Sequence, residues 1–150
     1  MSKPTEALPP AAEMVELDRP ECLRLLAATS VGRIVISAGE SGHPVVRPVN
    51  YVFDESSQSV LIRSDQGSKL HALLRSTKAA FEIDGADLPR RVGWSVIIVG
   101  VTEEITHPAE LRRIEGLGLE PWAPGHKGQW VRVRANTVSG RRIARAAGET

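Results

Sequence analysis

The chain has 150 residues, a length that suits one domain and can bury a core without disulfides or a structural metal. Its 19 Lys and Arg against 18 Asp and Glu leave a formal net charge of +1, which gives no electrostatic footing for nucleic acid or an anionic membrane surface. The single cysteine, Cys22, excludes an intramolecular disulfide and a Cys-based metal site, no apolar run approaches membrane-spanning length, and Met1 to Glu16 lacks a basic-then-apolar leader pattern, so a cytoplasmic protein is expected.

Residues 1–16 are rich in Pro and Ala without a clear period and read as a mobile arm, with a single domain over 17–150. Asp18-Arg19-Pro20-Glu21 reads as a helix start: Asp18 caps, Pro20 suits the first turn, and Glu21 completes a capping-box-like pair. Cys22, Leu25 and Leu26 then share one helical face, and the helix should stop near Thr29. Strands follow. Arg33 to Ser37 is a β-branched run ended by a Gly-rich turn, and Val45 to Phe53 is a second run. Pro48 inside it removes a ladder donor and calls for an edge or a bulge. Val60 to Arg63 is the third strand of an antiparallel meander. Leu70, Leu73 and Leu74 mark a short helix, Ala79 to Asp84 a fourth strand, and Val92 to Glu104 a long fifth one. Pro108 opens a surface helix to about Leu117. Gly118 to Gly128 is a structured loop in which Trp122 should pin its Pro-rich surroundings. Trp130 to Arg134 alternates as a half-exposed sixth strand, and the tail from Ser139 is basic and polar. Six short antiparallel strands with helices at the links imply a closed or nearly closed barrel, mainly β with peripheral helices. The fifth strand is long enough to extend into a subunit interface.

The chemistry concentrates in Ile62-Arg63-Ser64-Asp65-Gln66-Gly67-Ser68-Lys69. An arginine ends a strand, a Gly-containing turn follows, and Ser and Lys open a helix. A phosphate monoester suits that arrangement: Arg63 offers a planar fork, Lys69 a point charge, and Ser64 and Ser68 hydroxyl donors. The histidines show no metal-ligand spacing, so no metal site is expected. His43 reads as a turn residue, His107 as a helix start, and His71 as a surface residue, with a haem ligand as its alternative. No nucleophile–base pattern appears, and no catalytic acid or base stands out.

The order of these segments resembles the pyridoxamine 5'-phosphate oxidase-like FMN-binding split-barrel family, most closely its small actinobacterial-type members. The carrying motifs are Val31-Gly32-Arg33, Arg47-Pro48-Val49-Asn50-Tyr51, Ile62-Arg63-Ser64 to Gly67-Ser68-Lys69-Leu70, Phe81-Glu82-Ile83-Asp84 and Gly93-Trp94-Ser95-Val96. The resemblance implies a six-stranded split β-barrel and a homodimer with FMN between subunits. It implies that Arg63 and Lys69 hold the phosphate, a clamp that the local reading completes with Ser64 and Ser68, with ring contacts from Val49, Asn50 and Tyr51, and Trp94 and Ser95 approaching from the partner. Asn50 could equally cap a bulge, Trp94 could be core or dimer packing, and Trp130 reads as buried. Arg33 and Arg47 read as solvent-facing, with groove lining as the alternative. The C-terminal Val138 to Arg145 lacks the Arg-x-His element of true pyridoxamine phosphate oxidases, so vitamin B6 oxidation is not expected. An FMN-dependent oxidoreductase acting on a small organic substrate is the leading expectation. The alternatives are a deazaflavin-dependent reductase on the same fold and a non-catalytic flavin- or haem-binding module.

Overall fold

The computed structural model describes residues 11–38, 42–65, 67–75, 77–122 and 128–145. The chain enters through β1 (Ala12–Glu16), whose backbone pairs antiparallel with β9 (Thr137–Arg145). Residues 12–16, read in the sequence as part of a mobile arm, are therefore a hydrogen-bonded strand. All five side chains are exposed, so no burial pattern marks them. Residues 1–10 of the expected arm lie outside the described residues.

Helix α1 (Arg19–Ala28) forms where expected. Asp18 Oδ1 accepts the Glu21 N–H at 3.0 Å, Pro20 sits in the first turn, and Cys22, Leu25 and Leu26 are buried. The capping box is not completed. The Glu21 carboxylate turns to Arg24, 2.6 Å away, and to Arg142, 3.1 Å away, because two guanidiniums outbid one backbone N–H for a carboxylate.

The remaining strands are β2 (Val31–Ala38), β3 (His43–Asn50), β4 (Val52–Asp54), β5 (Ser59–Ser64), β6 (Lys78–Asp87), β7 (Val92–Ile105) and β8 (Gln129–Arg134). They form one antiparallel sheet in the order β3-β2-β6-β7-β8-β5-β4. Its two end strands, β3 and β4, are consecutive in the chain and separated only by Tyr51, so the sheet curls until the chain itself joins its edges. Counting β3 and β4 as one bent strand recovers the six predicted strands, with β1 and β9 added. Pro48 lies on terminal strand β3, opposite Arg33, where a missing donor is tolerated. One edge of the 14-residue β7 pairs with β6, and the other pairs in turn with β9 and β8.

The barrel interior holds Leu26, Ile34, Tyr51, Val60, Ile62, Phe81, Ile83, Val96, Ile98, Val131 and Val133. A second cluster, Leu61, Ile105, Ile114 and Trp130, lies on the other face of β5 and β8, under α3 (Pro108–Glu115). Strand β8 is thus buried on both faces rather than half exposed, because α3 covers the side its alternation would leave to solvent. Among the described residues no helix is long and apolar enough to cross a membrane.

Candidate functional site

The pleat of β5 decides which predicted site residues meet. Successive side chains on a strand point to opposite faces, so Arg63 follows Leu61 and Ser64 follows Ile62. Arg63 stands opposite Trp130 in the β5–β8 ladder, with its guanidinium 5.1 Å from the centre of that indole, a cation–π contact. Arg63 Nε and Trp130 Nε1 are both buried and lack an acceptor among the described residues. Two unsatisfied donors side by side are costly unless something accepts from them.

Ser64 faces the other way and is buried. Its Oγ lies 2.8 Å from Nδ1 of His71, and His71 Nε2 is 3.7 Å from Glu104 Oε1. Ser68 Oγ accepts the His71 N–H at 3.0 Å. The structure therefore separates Arg63 from Ser64 and Ser68, contrary to the single pocket expected. Lys69 begins the short α2 (Lys69–Leu73), and its side chain lies outside the described residues. His71, expected at the surface, is only 6% exposed. The missed signal is its spacing, one turn before the buried Leu74. A hollow of about 250 Å³ beside it is lined by Gly67, Ser68, Ala72, Arg75 and Glu104.

The Val49–Tyr51 segment divides likewise. Tyr51 is core: its hydroxyl donates to Leu26 O at 2.6 Å, its ring meets Phe81 edge-on at 4.8 Å, and burial pushes its phenol up. Its side chain is thus engaged in the core, and the residue also borders the neighbouring cleft. Val49 packs partly buried against the same core. Asn50 points instead into a cleft of about 320 Å³ with Thr29, Ser30, Val52, Phe53, Leu119 and Trp122. Its Oδ1 accepts the Trp122 N–H at 2.8 Å. Val52 and Leu119 also pack on the Leu61–Trp130 cluster, so cleft and Arg63 border one apolar layer. Trp122, expected to pin its loop, is 78% exposed at the rim. His126 of the same loop lies outside the described residues.

Trp94 and Ser95 sit near the start of β7. The Trp94 indole lies flat on Gly85, where a Cβ would come within 2.6 Å of its ring nitrogen, and it packs against the core. With Arg142, Ile143 and Asp87 it lines a hollow of about 470 Å³. Ser95 is on the opposite face, in register with Asp84 and Arg141. Arg33 bridges Glu82 and Asp84 at 3.3 and 3.1 Å. Desolvation, and then the neighbouring Asp84, push Glu82 up. Arg47 is exposed, as expected.

Residues 18–142 match the profile of the pyridoxamine 5'-phosphate oxidase family. An uncharacterised protein of Mycobacterium tuberculosis is 35% identical over 138 residues, spanning 89% of this chain and 88% of that protein. The FAD binding protein of Mycobacterium smegmatis superposes with a TM-score of 0.74 at 32% identity, covering 87% of this chain and all (100%) of that one. A conserved protein of unknown function from Corynebacterium diphtheriae gives 0.72 at 32% identity, covering 87% and 98%. Helix, bent third strand, Arg63 turn and long β7 thus occur in the expected order on the expected fold, and this chain belongs to the pyridoxamine 5'-phosphate oxidase family.

Proposed function

We propose that this chain is an oxidoreductase that binds a flavin, as FMN or through the FMN half of a larger flavin, and acts on a small organic substrate. The observation that carries the reading is Arg63: a half-buried guanidinium over the Trp130 ring, with a buried Nε and a neighbouring buried indole N–H that lack acceptors among the described residues. The accessible part of that half-buried guanidinium suits an anionic, acceptor-rich group such as the flavin phosphate. The flavin-binding relative from Mycobacterium smegmatis supports the same choice. Arg63 would hold the phosphate and Asn50 would border the flavin, while the apolar layer of Leu61, Val52 and Leu119 excludes water. A bound flavin supplies the electron and hydride transfer, and the protein supplies orientation and electrostatics.

The working unit in this reading is a homodimer. An apolar row crosses the outer face of the sheet: Val46, Val35, Ala80 and Val99 stand in register on β3, β2, β6 and β7. Val46, Ile97, Val99 and Val101 are exposed, as expected of a face that a partner covers.

Titration of the apoprotein with FMN tests the site. Binding should change the flavin fluorescence, and protein freed of unbound flavin should keep absorption bands at about 370 and 450 nm, set by the flavin. Arg63→Met keeps the aliphatic stem and removes the charge, so it should weaken FMN binding about 10- to 100-fold. Unchanged affinity in the folded variant rejects the site, and no flavin binding by the wild type rejects the function.

A further inference from the structure

We infer that the hollow between the β6–β7 hairpin and β9 binds a small aromatic carboxylate, its ring beside Trp94 and its charge on Arg142. The site is separate from the flavin reading. Trp94 stands near the start of β7, whereas Trp130, under Arg63, pairs with the far end of that strand. Trp94 also points to the face opposite Ser95.

The hollow encloses about 470 Å³, within the range of small-ligand pockets. Its walls are mostly apolar, from Ala86, Val92, Ile143 and the half-buried Trp94. Two glycines keep it open. A Cβ at Gly85 would stand 2.6 Å from the Trp94 ring nitrogen, and one at Gly93 would come within 2.9 Å of Gly85 O. Both strands therefore present bare backbone there, which leaves a slot beside the indole suited to a flat ring.

Charge at the wall narrows the ligand. The charged residues lining the hollow are Asp87 and Arg142. Asp87 is matched by Arg90, whose guanidinium lies 3.7 Å away and whose backbone N–H donates to it at 3.2 Å. Arg142 is not matched in the same way. Its Nη2 donates to Glu21 Oε1 at 3.1 Å, but Arg24 already holds both oxygens of Glu21, at 2.8 and 2.6 Å. Two guanidiniums thus share one carboxylate, and the trio keeps a positive charge at the edge of the hollow. A ligand carboxylate completes the second pair, with the planar fork of Arg142 taking its oxygens. A phosphate suits this wall less, because Arg142 is the one cation among the described lining residues. An anion on a flat apolar body fits both the charge and the walls.

The test titrates cinnamate and its uncharged analogue cinnamyl alcohol into the full-length protein by calorimetry, in the wild type, Arg142→Met and Ile143→Glu. A charge-assisted pair predicts that the wild type takes the acid at least about 10-fold tighter than the alcohol. Arg142→Met keeps the aliphatic stem and should abolish that excess while leaving the alcohol affinity unchanged. Ile143→Glu sets a rival carboxylate at the wall and should weaken cinnamate about 10-fold or more, with a far smaller effect on the alcohol. Both side chains are partly exposed on β9, so misfolding of these variants is a minor concern. Protein saturated with FMN should bind cinnamate as well as the apoprotein does. Failure of cinnamate to bind, equal affinities for acid and alcohol, or a preference that survives Arg142→Met overturns the inference and leaves the flavin reading standing. Displacement of cinnamate by FMN also overturns it, by placing the ring in the flavin site. Protein that shows the Arg142-dependent preference but takes no flavin keeps this site and loses the flavin reading.

Discussion

Ser64 and Arg63 are neighbours in the chain and strangers in space. Ser64 belongs to a buried chain of polar contacts with His71 and Glu104, whereas Arg63 lies over Trp130 on the opposite side of β5. Removing the hydroxyl should therefore act on folding and not on the flavin. Ser64→Ala leaves the buried Nδ1 of His71 without its partner, and urea unfolding should show a loss of about 1–3 kcal/mol. FMN affinity should stay at the wild-type value; a large drop in affinity with unchanged stability would return Ser64 to the phosphate clamp. The contrast also marks what was legible at this scale. The place of Arg63 at a strand end beside a Gly turn was readable in the sequence. Its partner Trp130 lies far along the chain and meets it only through the β5–β8 register, which no local pattern encodes. The two side chains part because the pleat alternates, which their adjacency in sequence conceals.

Helix α3 is tied to the barrel by two ion pairs, Glu110 with Arg132 of β8 and Arg113 with a carboxylate at the end of β4. Asp54 is buried and accepts from both Nη atoms of Arg113, at 3.0 and 2.7 Å, and from the hydroxyls of Ser56 and Ser57. The Arg113 fork first, with the Ser57 and Ser56 hydroxyls adding to it, holds the Asp54 carboxyl well below the usual carboxylate range. A group whose folded value is depressed adds stability that is complete above its unfolded value, about 4, and lost as pH falls through the folded value. Asp54→Asn should thus cost about 1–2 kcal/mol near neutrality, a figure kept low because Arg113 is partly exposed. The gap between wild type and variant should narrow below about pH 4 in denaturant titrations, and a gap that widens on acidification would contradict the tie. Elements such as α1, α3 and the β-branched strands were visible in the sequence, since Asp18, the His107-Pro108 pair and runs such as Val96 to Val99 each carry a local cause. Strands β1 and β9 were not. Ala12 to Glu16 buries no side chain, and the arginines of Thr137 to Arg145 read as a basic tail. Both owe their form to backbone pairing, β9 to β7 and β1 to β9.

The length of β7 bears on whether one protomer could build the whole proposed site. Arg63 is held by Trp130, which faces Ile105 at the far end of β7, whereas Ser95 sits near its start, on the outer apolar face. Ten residues of strand separate Ser95 from Ile105, roughly 30 Å, far beyond the reach of one flavin ring and phosphate. Contacts from both ends to the same cofactor would therefore come from two protomers. The outer row of Val46, Val35, Ala80 and Val99 is where the second would dock, and a stable pair needs about 800 Å² from each partner. Val99 is the β7 member of that row and 41% exposed, so a charge there is tolerated by the lone protomer and opposed by a dry interface. Val99→Glu should sediment as a monomer at micromolar concentration, retain the wild-type far-ultraviolet spectrum, and release flavin that the dimer retains. A variant that stays dimeric would move the interface elsewhere on the barrel. A monomer that keeps its flavin would show that the Arg63 face binds the cofactor without help from a partner.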